Sequence, residues 1–147
     1  MNTKRLQKLI DFMRKLPKNA EQHFNMKAWV MHNGNWREVI GQHGIAKPAD
    51  VTKEKLIQCG MTACAFGWGA VVPEFRRAGL KLEIRESTRG FKEILEPSYK
   101  GKRDLEAAAA FFEVSQDDAE ALFGYDNKDA SPKAWAKRAS DWIKAQP

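Results

Sequence analysis

Leu80-Lys81-Leu82-Glu83-Ile84-Arg85 alternates apolar and charged residues, and its reading decides the fold class. A period of two places Leu80, Leu82 and Ile84 on one face and Lys81, Glu83 and Arg85 on the other, the pattern of a half-buried strand. Ser87-Thr88-Arg89-Gly90 supplies turn residues that lead back into Phe91-Lys92-Glu93-Ile94-Leu95, so a small β-hairpin is expected, with loop from Pro97 to Arg103.

Outward from this hairpin the period becomes helical. Leu6, Leu9, Ile10, Met13 and Leu16 recur at helix spacing until Pro17 stops the pattern, because proline disfavours helix at the residue before it. Thr52 is a cap for a short helix through Ile57, and Pro73 to Ala78 reads as one helical turn stopped by Gly79. Toward the C-terminus a helix runs from about Asp104 through Phe112. Ser115, with an acid three residues on, caps a second helix that ends at Gly124. Ser131-Pro132 opens a third, with proline at the first helical position. Thr62 through Val71, rich in Ala and Gly, suits a buried helix packed closely on its neighbours. Asn25 could cap a short helix over 26–30. Residues 32–50 form an irregular excursion pinned by Trp36, Val39 and Ile40. The expected architecture is therefore mainly α (α+β): one compact helical domain over 1–147 with a small β-hairpin. Its expected core is Cys64, Phe66, Trp68, Phe75, Phe111, Phe112, Leu122 and Phe123.

Composition supports a packed core. The 147 residues are 43% hydrophobic and 30% charged, with a net charge of +6. There is no apolar run long enough to span a bilayer and no apolar signal core near the start, so no membrane is expected. Two cysteines without a secretory leader point to a reducing cytoplasm. The charge is segregated. Residues 1–18 carry six basic side chains and one acid, net +5; residues 104–130 carry eight acids and one base, net −7. Lys4, Arg5 and Lys8 on the first helix are candidates for a phosphate-bearing or acidic partner, and Asp117, Asp118 and Glu120 for a basic one. Either set also fits a solvated helix face.

No catalytic, metal or cofactor set emerges. Cys59 and Cys64 have one half of a zinc-site spacing, but His23, His32 and His43 are scattered and supply no second tight pair. Cys59, read as preceding a helix, would gain thiolate character from the helix dipole, and one of those histidines would have to act as base. Cys64 reads as inert core. A helix-turn-helix over 109–122 would present Gln116, Asp117, Asp118 and Glu120 to DNA, where repulsion by phosphate dominates. Among the tryptophans, Trp135 and Trp142 share a face and dock the last helix, whereas Trp36, between Asn35 and Arg37, is the candidate exposed aromatic.

Three segments together carry a resemblance. They are Phe24-Asn25-Met26-Lys27-Ala28-Trp29, Cys59-Gly60-Met61-Thr62-Ala63-Cys64-Ala65-Phe66-Gly67-Trp68, and Phe111-Phe112-Glu113-Val114-Ser115 followed by Ala121-Leu122-Phe123. They resemble small tailed-phage and prophage proteins with F-x-M-x-x-W, C-G-x3-C-x2-G-W and F-F-x-V/L-S…A-x-x-L-F boxes. This chain departs at Met61, where threonine is usual, and at Glu113, where glycine is usual. The resemblance implies a cytoplasmic protein encoded by a phage, and no catalytic residue carries over. By analogy with small phage accessory proteins, the expected function is non-enzymatic binding and modulation of a host bacterial protein, with defence systems among the targets. The alternatives are nucleic-acid binding through residues 1–18 and a cysteine-dependent enzyme.

Overall fold

The computed structural model describes residues 1–31, 45–86 and 93–147. Trp36, His32, His43 and the turn at 87–90 lie outside the described residues.

Helix α1 (Thr3–Lys15) is capped by Asn2, whose Oδ1 accepts from the Arg5 amide at 3.1 Å. Its stripe of Leu6, Leu9, Ile10 and Met13 is fully buried. A 3-10 stretch, Lys18–His23, leads to strand β1 (Val30–Met31). Asn25 caps no helix; its Oδ1 accepts from the Lys27 amide at 2.9 Å and closes a tight turn. After a 3-10 turn at Pro48–Asp50, helix α2 (Lys53–Gln58) starts at Thr52, whose Oγ1 accepts from the Lys55 amide.

The segment expected to be one buried helix is divided. Thr62–Ala63 is strand β2, pairing with β1, and helix α3 is only Ala65–Gly69. Cys64 is the cap residue between them, and its Sγ accepts from the Gly67 amide at 3.3 Å. The small residues serve close packing nonetheless. A Cβ on Gly67 would fall 1.8 Å from the Trp29 carbonyl oxygen, so backbone there rests directly on backbone. Helix α4 (Pro73–Arg77) follows, and Gly79 takes the left-handed stop at φ +99°.

The expected hairpin is present as strands β3 (Lys81–Glu86) and β4 (Glu93–Tyr99), antiparallel, with Ile84 opposite Leu95. The sheet is larger than expected. Its order is β2-β1-β4-β3, with β5 (Lys102–Arg103) also pairing β4. The stretch from Pro97 to Arg103 is thus not loop. Lys100 and Gly101, both with positive φ, make the two-residue turn between β4 and β5. Pro97 is tolerated because it falls between the short strands on that edge: β1 pairs at Leu95 and β5 at Ser98.

Helices α5 (Asp104–Phe112), α6 (Gln116–Phe123) and α7 (Pro132–Lys144) complete the chain. Ser115 and Ser131 cap α6 and α7, each accepting a backbone amide at 3.1 Å. Helix α1 packs against α7 and meets α5, where the Asn2 amide donates to the Phe112 carbonyl at 2.6 Å. All eight expected core residues are buried. Phe66, Phe75, Phe111, Phe112, Phe123 and Trp135 form a continuous aromatic cluster, with neighbouring ring centroids 5.0–6.0 Å apart. The buried indoles are satisfied by carbonyls: Trp135 Nε1 donates to Leu122 at 2.8 Å and Trp68 Nε1 to His23 at 3.3 Å. The architecture is α+β, several helices around a small antiparallel sheet.

Candidate partner-binding faces and a buried carboxyl

The outward side of α1 lines an open groove of about 660 Å³. Lys4, Lys8 and Lys15 stand along it, and half-buried Phe12 and buried Val72 provide an apolar floor. Helical spacing places Lys4, Lys8 and Lys15 on one side, while the i, i+3, i+4 stripe turns inward. Lys8 pairs with Glu74 of α4, whereas Lys4 and Lys15 have no ion pair among the described residues. Arg5 is committed elsewhere. Its guanidinium lies 4.4 Å from the Phe111 ring centroid, and Nη1 donates to the Phe111 carbonyl at 2.7 Å, closing the carboxyl end of α5. Of the three basic candidates, Lys4 and Lys8 face the groove and Arg5 holds two helices together.

The acidic candidates lie on α6. Asp117 and Glu120 are exposed. Asp118 is half-buried and accepts at Oδ2 from the Ser115 hydroxyl at 2.6 Å, so it belongs to the cap. Glu120 borders a second hollow, of about 250 Å³, between α6 and the turn before β1. The carboxyl end of α6 is closed by Arg138, which donates to the Leu122 carbonyl at 3.0 Å and to Asp129 at 2.6 Å.

Neither thiol has the surroundings expected of a nucleophile. Cys59 ends α2 at its carboxyl end, the negative end of the dipole, and precedes α3 by several residues; it is 8% exposed. Cys64 is fully buried, and burial pushes its thiol up to about 12. His23 is buried with Nδ1 2.8 Å from the Met61 carbonyl oxygen. The described residues contain no group of three His, Cys, Asp or Glu able to hold a metal ion, and no helix long and apolar enough to cross a membrane.

Sequence reasoning missed a titratable cluster on the outer face of the hairpin. Glu96 is 1% exposed, and its Oε2 has no hydrogen-bond partner among the described residues. Its Oε1 accepts from Arg85 Nη1 at 3.0 Å, and the same nitrogen donates to Asp104 Oδ2 at 3.2 Å. Glu83 stands opposite Glu96 in the ladder. Burial, then the neighbouring Asp104, push the Glu96 carboxyl up to about 7, against the opposing pull of Arg85. Asp104 itself opens α5 with a left-handed φ of +53°.

No family model, curated protein or solved structure matches the chain, so these readings rest on its own residues.

Proposed function

We propose that the chain is a non-enzymatic accessory protein, encoded by a phage or prophage, that binds a host bacterial protein in the cytoplasm and modulates it, with a host defence component as the target class. The observation that carries the binding reading is the α1 groove. Two lysines with no ion pair among the described residues, Lys4 and Lys15, flank an apolar floor of Phe12 and Val72. That arrangement suits an acidic protein segment with one apolar anchor, since an anchor seated in a desolvated centre within a polar rim is how interfaces concentrate their energy. The phage origin is supported by the three sequence boxes alone.

The second reading is nucleic-acid binding through the same helix, favoured by its lysines. Against it stand Asp11, on the same groove, and the apolar floor. The experiment is capture of host proteins on the full chain, with and without nuclease, beside a Lys4→Glu/Lys15→Glu variant. A stoichiometric protein partner that survives nuclease and is lost with the variant supports the first reading. Recovery of nucleic acid alone, with affinity falling steeply with salt, replaces it by the second.

A further inference from the structure

The smaller hollow is the more enclosed of the two. Its walls are apolar and mostly aromatic: Trp29, Leu105, Phe123 and Tyr125. Three separate segments contribute them, the turn before β1, the start of α5 and the end of α6. Two charged heads sit at this wall. The Lys27 ammonium lies over the Tyr125 ring, 5.2 Å from its centroid. The Glu120 carboxylate lies against Gly124, one helical turn on, where a Cβ would meet its Oε1. Among the described residues neither the Lys27 ammonium nor the Glu120 carboxylate forms an ion pair; the ammonium has only the Tyr125 ring. An ammonium and a carboxylate beside one apolar hollow, neither in an ion pair among the described residues, are complementary to a ligand that carries both opposite charges next to an apolar body. At roughly 20–30 Å³ per non-hydrogen atom, near water's share of liquid volume, the hollow takes about eight to twelve such atoms. A leucine or a phenylalanine has that size.

We propose that this hollow is a binding site for a free α-amino acid with an apolar side chain, its carboxylate meeting Lys27 and its ammonium meeting Glu120. The site is independent of the α1 groove and of any protein partner. The Lys27 ammonium leaves the Tyr125 face to meet the ligand carboxylate, and the apolar side chain lies against Trp29 and Phe123.

The test is a titration of the full chain followed by the backbone amide resonances of Gly124 and Tyr125 and the indole of Trp29. The probes are leucine, phenylalanine, glycine, N-acetyl-leucine, leucinamide and N-acetyl-leucinamide. Leucine or phenylalanine should give saturable shifts with a Kd between about 10 µM and about 1 mM. Glycine should give none. N-acetyl-leucine and leucinamide should each bind roughly tenfold more weakly, the loss expected for one charge-assisted hydrogen bond. Lys27→Gln should weaken leucine about as much but leave leucinamide unchanged, and Glu120→Gln should do the same for leucine and N-acetyl-leucine. No saturable shift up to about 10 mM overturns the proposal. So does N-acetyl-leucinamide binding as tightly as leucine, which would mean that the hollow takes the side chain of a peptide and reads no charge. The derivatives are compared on the unaltered chain, so a poorly folded variant cannot obscure the result.

Discussion

Replacing Glu96 by Gln should make the protein more stable at alkaline pH. Glu96 is buried, shares Arg85 with Asp104, and holds its proton up to about pH 7 against an ordinary value of 4.5. Between those limits the folded chain keeps a proton that the unfolded chain has lost, so stability falls as pH rises through the window and levels off above it. At about 1.4 kcal/mol per pH unit the whole interval amounts to about 3 kcal/mol, of which about 2.5 kcal/mol falls between pH 5 and pH 8. Glutamine keeps the shape, can accept from Arg85, and can present its amide to Asp104 as a protonated carboxyl would. Urea unfolding of both proteins near pH 5 and near pH 8 measures the difference. The variant should gain about 2–3 kcal/mol on the parent across that range, equivalent to roughly 4–12 °C in melting temperature for a chain of this length. Parallel pH profiles, or a variant less stable than the parent at pH 8, would refute the argument that a buried carboxylate sharing one arginine with Asp104 is forced to ionise inside the fold.

Gly67→Ala should cost about 3 kcal/mol or more in chemical denaturation, since its Cβ would overlap the Trp29 carbonyl and α3 would have to retreat from β1. Glu113→Gly should stabilise by up to about 1 kcal/mol: this residue ends α5 with φ +55°, and relief of that strain outweighs its exposed contacts to Asn2 and Arg5. A melting curve showing no gain would mean that those contacts matter more than exposed pairs usually do. The Cys64 thiol should resist a disulfide reagent near pH 8 until denaturant is added, because burial holds it protonated up to about pH 12; prompt labelling in the folded state would contradict the burial argument.

What could be read from the residues was local and periodic. The stripe on α1, the serine caps of α6 and α7, and the alternation in β3 each declare themselves within a dozen residues. Two-residue strands such as β1 and β2 have no period to detect, and Thr62–Ala63 by itself reads as part of a helix. Pro97 concealed the second half of β4, and Lys100 is an unusual residue for a left-handed turn position. Lys4 and Lys8 were legible as helix-face charges, but the engagement of Arg5 with Phe111 depends on packing between residues 106 apart. Glu96 gave no signal because its burial comes from the strand beside it and from Asp104. The hollow around Tyr125 is assembled from three segments and appears in none of them alone.

The docking of α1 on α7 and on the end of α5 also sets an order of events during synthesis. Helix α1 leaves the ribosome well before its main partners: Leu9 also meets Gly69, but α7 and the end of α5 emerge more than a hundred residues after α1. At roughly 5–20 residues per second this leaves an amphipathic helix without its partner for about 5–25 s. Over that interval much of the apolar stripe of α1 is open to chaperones. Full cover of α1 waits for α7, so loss of α7 would leave much of the α1 stripe open permanently.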